Sequence, residues 1–572
     1  MKRHLFLIIS LLIAGVVAGQ DLRHYEYLYG RNHVSSPNND DTLNHSSIRN
    51  FYFFTQPVDP FSAPFSPKKW YSGLVKKVFH ENLVIIKRPG YLITADPLFD
   101  VELGRETVLG SNSWSNTRGG QVYGKIEMGK DAGEDSDNIL KSHKKFTPTF
   151  EFYSSYYESQ ARFPGYMDSI SYLSGGVPGQ GFIQRADKTW DYGYSTGWVR
   201  FAANKHFTFE LGTGKNFFGN GYRSMLLSDN SRNYPYFRID TRIWRIHYTN
   251  LWAEFQDTRY HDGPLGAYQK KYGAFHYLSY SLTNRLEISL FEAIIWQGRD
   301  SLHTRGFDIS YLNPVIFMRP VEWTLGSPDN ALMGINLSYR LSGETYLYSQ
   351  FLIDEFDVSH MKARDGYWAN KFAGQFGAKT FIPLKPGSRS LLPDTRHPTP
   401  DTQYLIPDTR HPTPEPGIFL QSELNFARPY TYAHWTSKQN YGHMGQPLAH
   451  PLGANFVEWV SFARVNWNRF VLEGRYSRAR FGSNLNGLNY GQDIFLSYDT
   501  FVNELGNYIG QGLPNKLTYI SLTGSFLLNP SSLLNVFFTV TDRHQVTDVL
   551  DNHNLWLMFG VRSSIRNLYF DY

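Results

Sequence analysis

Residues 205–214 read KHFTFELGTG, and their side chains alternate between apolar and polar. Phe207, Phe209 and Leu211 fall on one face of an extended chain, and Thr208 and Glu210 fall on the other. Because successive side chains of a β-strand point to opposite faces, this period of two predicts a strand with one apolar and one polar face. The same alternation recurs in three further stretches, residues 285–293, 470–482 and 533–543.

Two architectures produce this pattern: a soluble β-sandwich, or a membrane β-barrel with lipid outside and water inside. About 18 strand candidates follow Lys145, and the last ends at Tyr572. The count includes two strands within residues 306–325, separated at Asn313 because the following proline interrupts a strand.

The lengths of the connections favour the barrel. Connections after even-numbered strands are short, whereas the long ones mostly follow odd-numbered strands. This parity is typical of an outer-membrane barrel with short periplasmic turns and longer outer loops. The short links are residues 203–205, 248–250, 282–284, 342–344, 468–469 and 529–532, and the long ones are 158–188, 214–236, 430–458 and 482–515.

The two ends of the chain agree with export to an outer membrane. The first residues, MKRHLFLIISLLIAGVVAGQ, combine a basic start, an apolar run and small residues, which predicts a signal peptide over residues 1–19. The alternative, an N-terminal membrane anchor, is disfavoured because the run is shorter than the ~20 residues of a spanning helix. The chain ends NLYFDY, which predicts a terminal strand with alternating Leu568, Phe570 and Tyr572, as bacterial barrels often have.

Composition excludes several classes of function. The 572 residues include no cysteine, so disulfide and thiol chemistry are excluded. The formal charge of +5 is too small and too dispersed to indicate nucleic-acid binding. The 39 Tyr, 42 Phe and 13 Trp suit half-apolar strands.

We predict three parts: the signal peptide, an N-terminal region over residues 20–145, and a barrel over residues 146–572. The N-terminal region contains a partly helical stretch around Trp70–His80 and is expected to form a plug or a periplasmic cap. A proline-rich insert over residues 384–416 repeats PDTRHPTP, which excludes a strand interior and suggests an extended spacer.

The glycine-rich stretch ELGTGKNFFGNGYRSMLLSD, residues 210–229, raises the question of phosphate binding. A phosphate-binding P-loop needs Gly-x-x-x-x-Gly-Lys-Ser/Thr, but Phe209 and Asn216 occupy two of these positions. A dinucleotide site needs a following helix, and none is predicted. We therefore interpret the stretch as an outer loop that folds over the pore.

The candidate binding residues come from this loop and from a second stretch, NPVIFMRPVEWTLGSPDNALMG, residues 313–334. Polar side chains of both are expected to face the barrel interior or mouth, and the aromatic ones to stack on sugar rings. The alternatives are that the polar groups only pair with each other and that the rings anchor loops or form the interfacial girdle. The set is Lys215, Tyr222, Arg223, Asp229, Tyr234, Arg319, Glu322, Trp323, Asp329 and Asn330; Tyr236 is a further stacking candidate.

No set of residues predicts catalysis, a metal site or a cofactor. Asp354 and Glu355 are adjacent carboxylates on opposite strand faces, without a nucleophile or histidine at useful spacing. The acidic stretch at residues 131–138 lacks the spacing of a calcium loop.

The two candidate stretches, together with NTRGGQVYGKI, YYESQARFPGY, GGVPGQG and YSQFLIDEF, resemble the RemB gliding-motility proteins, which are related to the Wzi capsule-assembly outer-membrane proteins. The resemblance covers most of the mature chain, although the proline-rich duplication is not part of the family pattern. It implies an all-β outer-membrane barrel of 18 strands with a helical N-terminal part, and no enzyme activity. It also implies capsular polysaccharide as a partner, or gliding and surface-assembly proteins.

We therefore expect a non-enzymatic barrel in the outer membrane of a Gram-negative bacterium, in contact with lipid, which assembles or retains surface polysaccharide or supports adhesion and gliding. The alternative is a passive channel, which would have a large open lumen.

Overall fold

Eighteen antiparallel strands form a closed barrel in the computed structural model of the chain. The structure describes residues 47–49, 72–79, 81–108, 110–128, 146–173, 176–180, 183–186, 189–261, 268–299, 304–317, 321, 324–326, 328–342, 344–384, 416–467, 469–529, 532–563 and 569–572. Each strand pairs with its neighbours in sequence, and the last strand pairs with the first through Trp556–Glu106 to Arg562–Asp100. The prediction of a barrel of 18 strands is confirmed.

The barrel strands are β1 Tyr91–Glu106, β2 Asn112–Glu127, β3 Thr149–Arg162, β4 Thr189–Ala202, β5 Phe207–Gly214, β6 Tyr234–Ile243, β7 Ile246–His261, β8 Tyr268–Ser281, β9 Leu286–Gln297, β10 Asn330–Ser342, β11 Thr345–Glu355, β12 Lys371–Pro383, β13 Gly417–Ala427, β14 Phe456–Trp467, β15 Phe470–Ser483, β16 Leu513–Asn529, β17 Leu534–Val546 and β18 Asp551–Arg562.

The shorter elements lie at the barrel ends, inside the barrel or, for the 3-10 turn at Ile309–Leu312, on its outer wall. The helices are α1 Ser72–Phe79, α2 Gly165–Leu173 and α3 Val358–Ala363, with 3-10 turns at Ile309–Leu312 and Tyr498–Thr500. The short strands are Ile48–Arg49, Val84–Arg88, Ile183–Ala186, Phe217–Phe218, Gly442–His443 and Gln446–Pro447. Among the described residues, no helix is long and apolar enough to cross a bilayer.

The two faces of the strands are inverted relative to a water-soluble protein. Large apolar side chains point outward and are exposed, such as Leu211 at 63% and Phe470 at 60%. Charged side chains such as Arg238, Asp240 and Glu458 point into the barrel and are buried. Soluble proteins bury apolar groups and expose charges, so this arrangement fits a barrel whose outer solvent is lipid.

Most of the very short turns lie at one end of the barrel and most of the long connections at the other; the connection between β12 and β13 is a long one at the first end. Turns of a few residues join β4 to β5, β6 to β7, β8 to β9, β10 to β11, β14 to β15 and β16 to β17, and define the short-turn end. The long connections, including residues 215–233, 298–329 and 428–455, define the long-connection end. The predicted parity is therefore present. One predicted turn is misplaced: residues 248–250 lie inside β7, and the turn is at Trp244 and Arg245.

Two errors cancel in the sequence-based strand count. The barrel does not start at residue 146, because β1 and β2 both precede that residue and pair with β18 and β3. Residues 306–325 hold no barrel strand in their described part. A 3-10 turn at Ile309–Leu312 replaces the first of the two predicted strands. The predicted count was right although four of its assignments were wrong.

The predicted terminal strand is also wrong. The last strand, β18, ends at Arg562, and residues 569–572 are not a strand. Tyr569, Phe570 and Asp571 are buried inside the barrel instead. The alternating aromatic pattern does not distinguish a buried tail from an outward-facing strand, because both contain aromatic side chains.

The described parts of the N-terminal region occupy two places. Ile48–Arg49 pairs with Phe217–Phe218 in the lumen. Helix α1 lies at the short-turn end, where the Asn529 side-chain amide donates to the Lys77 carbonyl at 3.1 Å. The predicted signal peptide, residues 1–19, and most of the proline-rich insert lie outside the described residues. The flanks of the insert, Leu384 and Pro416, are hydrogen-bonded to each other at the short-turn end.

Candidate functional site in the barrel lumen

Two long connections fold into the barrel and fill much of its lumen. We call residues 215–233 the first lumen loop and residues 428–455 the second lumen loop. Almost every residue of the first loop is buried. Its apolar members Met225, Leu226 and Leu227 pack on strand residues such as Phe291 and on Leu448 of the second loop. The two loops are joined by the Ser228 amide, which donates to the Leu448 carbonyl at 2.8 Å.

Polar wall residues hold the backbone of the first lumen loop. The Gln375 side chain donates to the Arg223 carbonyl at 2.9 Å, and Gln350 accepts from the Met225 amide at 2.8 Å. Gly219 has a φ of 142°, and a Cβ there would collide with the Gln350 amide. Glycine is therefore required at this close approach of loop to wall.

Glu423 of β13 binds the loop through two backbone amides. Its carboxylate accepts from Tyr222 N at 2.8 Å and from Arg223 N at 2.9 Å. It also accepts from Tyr348 Oη at 2.9 Å. A buried carboxylate with several donors is stabilised in place, so Glu423 fixes the loop beside β11 and β13.

Arg223 is the centre of a buried ion-pair network. Its guanidinium contacts Glu458 at 2.8 Å and Asp571 at 3.0 Å, and the arginine is only 1% exposed. Glu458 also binds His450 Nε2 at 2.7 Å. The network therefore joins the first loop, the second loop, strand β14 and residues 569–572, which we call the tail. Two carboxylates beside one guanidinium compensate for its burial.

The tail is held from both sides. Arg475 of β15 lies 3.4 Å from Asp571 and donates to Tyr222 Oη at 3.0 Å. Tyr569 donates to the Asp229 carboxylate at 2.7 Å. The Arg223 guanidinium stacks 4.8 Å from both the Tyr222 and Tyr569 rings. These contacts anchor the tail to the first lumen loop through charge-assisted hydrogen bonds and cation–π contacts.

The remaining candidates of the first lumen loop also have protein partners. Lys215 Nζ donates to the Asp229 carbonyl at 2.9 Å. Tyr234 is buried, accepts from the Asn216 amide at 3.1 Å and packs edge-on against Phe255. The five candidates Lys215, Tyr222, Arg223, Asp229 and Tyr234 thus hold the loop in this arrangement, which was the alternative given for them above.

His443 fixes the second lumen loop as a neutral ring. Its Nδ1 accepts from the Gln256 amide at 3.0 Å, so its Nε2 carries the proton that it donates to the Asn233 carbonyl at 3.1 Å. Burial lowers the pKa of His443 to about 3. His434 in the same loop also has a pKa lowered to about 3 by burial and by the charge of Lys371.

The first described part of the second predicted stretch, residues 313–317, lies on the outer wall of the barrel. We call residues 304–317 the wall segment. Tyr311 packs against Trp252, Ala274, Ile294 and Trp296, which alternate with lumen-facing residues on β7, β8 and β9. The opposite side of the segment exposes the apolar side chains of Phe307, Ile309, Leu312, Val315 and Phe317. The expectation that this stretch faces the lumen is therefore wrong for residues 313–317, whereas Asn330 at the start of β10 does face the lumen, where it contacts the second lumen loop.

Side chains of the wall satisfy the irregular backbone of the segment. Trp296 Nε1 donates to the Gly306 carbonyl at 3.2 Å, Trp252 Nε1 to the Tyr311 carbonyl at 2.7 Å, and Tyr248 Oη to the Pro314 carbonyl at 2.7 Å. Phe317 N donates to Glu292 at 2.7 Å. Irregular backbone at membrane depth is tolerated only with such partners.

Asp329 joins the wall segment to the second lumen loop at the long-connection end. It forms two 2.9 Å contacts with Arg305, accepts from Tyr311 Oη at 2.7 Å, and accepts from the Gln439 side chain at 3.2 Å. Its neighbour Asn330 donates to the Gln439 carbonyl at 2.9 Å. The other candidates of this stretch, Arg319, Glu322 and Trp323, lie outside the described residues.

The sequence reasoning missed an exposed aromatic and charged patch at the long-connection end. We call it the outer rim patch: Arg259 and Tyr260 at the end of β7, Lys438 of the second lumen loop and Asp493, together with Trp435, which precedes Lys438 by three residues in the same loop and donates to the Gln439 side chain. Tyr260 is 40% and Trp435 43% exposed. Lys438 lies 4.4 Å from the Tyr260 ring, and Arg259 lies 3.5 Å from Asp493. Trp435 and Lys438 both fall within the stretch AHWTSKQN, but no periodicity marks them as a site.

No protein-family model matches the chain, and no curated protein matches it. Among solved structures, the chain is similar to Wzi of Escherichia coli, described as a carbohydrate-binding β-barrel involved in group 1 capsule assembly. The two are 12% identical over 82% of this chain and 85% of that chain, with a TM-score of 0.44.

The chain is also similar to OprD of Pseudomonas aeruginosa, at 10% identity over 82% of this chain and 94% of that chain, with a TM-score of 0.39. For OccAB2 of Acinetobacter baumannii the identity is 8% over 82% of this chain and 97% of that chain, with a TM-score of 0.40. Such likenesses concern the barrel fold alone and assign neither activity nor ligand. Membership of the RemB family stays a prediction.

Proposed function

We propose that this chain is a non-enzymatic outer-membrane barrel with a closed lumen, and that it binds a polysaccharide at the cell surface through the outer rim patch. The observation that carries the proposal is the filling of the lumen by the two lumen loops and the tail, which buried ion pairs attach to the wall. A large open pore would instead expose the charged wall residues to water.

The outward apolar surface supports the membrane location. Exposed Leu, Phe and Trp side chains surround the barrel, and Trp244 and Trp467 lie at the short-turn end, where an interfacial aromatic belt is expected. In outer-membrane barrels the short turns face the periplasm, so the long connections and the outer rim patch would face the outside of the cell.

The outer rim patch supports saccharide binding. Sugar rings present apolar faces and a ring of hydroxyls, which an exposed aromatic ring and adjacent charged groups can contact together. Tyr260 and Trp435 supply the rings, and Arg259, Lys438 and Asp493 supply donors and acceptors. In this proposal Arg223 and Asp229 position the loop beneath the patch and do not touch the glycan. Retention of capsule, or adhesion and gliding, would be the cellular role.

The test is binding of the detergent-folded protein to polysaccharide purified from the surface of its own host. We expect saturable binding by the native chain and at least tenfold weaker binding by a Tyr260→Ala/Trp435→Ala variant. Tyr508→Ala is the matched control, because Tyr508 is an exposed ring on another outer connection. Binding that is unchanged in the double variant contradicts the assignment of the patch.

The alternative function, a passive channel, is tested by measuring the conductance of the same preparation. In planar bilayers a barrel with a filled lumen gives little conductance, whereas an open channel gives steady large steps. Large steps from the native protein, together with no polysaccharide binding, would replace the proposal by the channel.

A further inference from the structure

A cavity of about 210 Å³ remains in the lumen, between the wall and the elements that fill the rest. Strands β1 to β4 and β14 to β18 supply its wall side. Its inner side comes from Tyr166 and Met167 of α2 and from Phe570 of the tail. A single water needs only about 10–15 Å³ of such space, so the cavity has room for a small ligand.

One part of the cavity is aromatic. Tyr166, Tyr192, Trp556 and Phe570 form one packed cluster there. Trp556 donates its indole N–H to Ser113 Oγ at 2.8 Å, which fixes the orientation of the ring. A fixed aromatic surface beside hydroxyl groups is the type of lining that small-molecule sites use.

The other part of the cavity is lined by hydroxyls and by charged groups of both signs. Ser521, Thr523 and Thr541 project from β16 and β17. Glu473 contacts both Arg464 and Arg475, and Arg475 also contacts Asp571. Of the other charged residues that line it, Arg162 and Arg562 are matched in number by Asp100 and Glu102. The lining therefore offers many hydrogen-bonding groups without an excess of one charge.

Buried polar atoms in this lining lack partners. Tyr166 is 3% exposed, and its hydroxyl has no hydrogen-bond partner among the described residues. The same is true, within the described chain, of the Nε atoms of Arg475 and Arg562. Buried polar groups in proteins are nearly always hydrogen-bonded, so unpaired ones beside a cavity indicate that water or a ligand completes them.

We propose that this cavity binds one residue of a neutral sugar, with the aromatic cluster against the ring face and the hydroxyls and Tyr166 Oη bonded to the sugar hydroxyls. The inference rests on the proposed function as a surface-polysaccharide protein, and it adds a second, internal site of stated chemistry. A neutral sugar fits because the four arginines of the lining are balanced in number by the carboxylates of Glu473, Asp100 and Glu102 and by Asp571, which contacts Arg475.

The absence of cysteine from the chain makes the site directly testable. A Ser521→Cys variant in detergent is modified with a small methanethiosulfonate reagent, with and without glucose, galactose or rhamnose, and with glucuronic or galacturonic acid as charged counterparts. We expect at least one neutral sugar to slow modification several-fold and the uronic acids to slow it less. Tyr508→Cys, on an exposed outer connection, is the control whose rate no sugar changes.

A second variant tests the contact itself. Tyr166→Phe, added to Ser521→Cys, removes one hydrogen bond and should weaken the protection by about 3- to 10-fold, which corresponds to a net bond of about 0.5–1.5 kcal/mol. If Ser521→Cys does not fold, Thr541→Cys labels the same lining. Stronger protection by uronic acids overturns the neutral class, and protection by none of the five sugars overturns the site. Polysaccharide binding is measured separately, so loss of the proposed function and loss of this site are distinguishable.

Discussion

At the scale of single residues, Arg223 shows how the lumen is held together. A guanidinium that is 1% exposed is compatible with folding only because Glu458 and Asp571 lie within 3.0 Å of it. Replacing a buried ion pair by apolar groups can be neutral, but removing one partner leaves the others buried without compensation. The network is therefore much more sensitive to single changes than an exposed pair.

We expect Arg223→Ala to lower the free energy of unfolding by roughly 3–5 kcal/mol, because Glu458 and Asp571 lose their cation. Thermal unfolding in detergent, followed by the gel-mobility shift of the barrel, measures the change. The control is Arg259→Ala, whose partner Asp493 is half-exposed, and which should cost at most about 1 kcal/mol. Equal effects of the two substitutions would contradict the role of the network.

His443 gives the lumen a dependence on pH. The folded pKa of about 3 lies below the ordinary value of 6.5, so the folded state holds the ring neutral and unfolding takes up a proton. The stabilisation is complete above pH 6.5 and is lost as the pH falls toward 3, at up to about 1.4 kcal/mol per unit. Tyr234, Phe255, Gln256 and Asn233 face the ring, and Lys271 and Arg232 oppose its protonation.

Lowering the pH from 7 to 4 should therefore loosen the second lumen loop. Limited proteolysis of this loop in liposomes is expected to accelerate at pH 4. A His443→Gln variant should show a weaker dependence on pH, because only His434 and His450 of the loop's three buried histidines then remain. A proteolysis rate that is equal at both pH values, after correction for the protease, would count against this assignment.

At the scale of elements, the two lumen loops distinguish this barrel from one with an open pore, because they fill its lumen. The first lumen loop contributes Met225, Leu226 and Leu227 to the core, and the wall residues Gln350, Gln375 and Glu423 bind its backbone. The polar wall side chains bind the backbone amides of the loop. Without the loop, these side chains would be exposed to water.

Replacing residues 217–230 by a short Gly-Ser linker should open the lumen. The expected result is conductance in planar bilayers well above that of the native protein, because Glu423, Glu458 and Arg475 would line a water-filled space. A second variant with the linker in place of residues 485–488, on a different outer connection, controls for loop shortening. Conductance that stays at the native level would show that other elements close the barrel.

Sequence periodicity predicted the strands well and the connections poorly. The alternation in residues 205–214 predicted β5 because lipid and lumen impose opposite requirements on successive side chains. The same reasoning failed for residues 306–325 and for the tail, where apolar side chains pack on the barrel without a strand. The candidates Arg223 and Asp229 both lie in the lumen, but their partners are more than 200 residues away in the chain: Glu458 and Asp571 for Arg223, and Tyr569 for Asp229. No local pattern encodes such pairs.

At the scale of the whole molecule, the barrel is asymmetric in the plane of the membrane. The wall segment adds a layer outside β7, β8 and β9, with Ile309 at 77% and Val315 at 64% exposure. Side chains of Trp252, Trp296 and Tyr248 donate to three backbone carbonyls of the segment, so these groups are satisfied where the segment lies against lipid.

A spin label at Val315→Cys is therefore expected to be accessible to oxygen and poorly accessible to a water-soluble nickel chelate. Leu211→Cys, on the outer face of β5, is the lipid-exposed reference, and Tyr508→Cys is the aqueous one. We expect the Val315 label to resemble the Leu211 label. If it resembled the Tyr508 label, the segment would lie above the bilayer.

The position of the tail in the chain also affects the order in which the barrel folds. Arg223 is synthesised long before its partner Asp571, 348 residues later in the chain, and Tyr222 likewise precedes that residue by 349. The strands between them can pair in order with their neighbours, but the centre of the barrel stays incomplete until the final residues arrive. Contacts that span most of a chain form slowly. The interior of this protein is therefore expected to become rigid last, after its wall is already built.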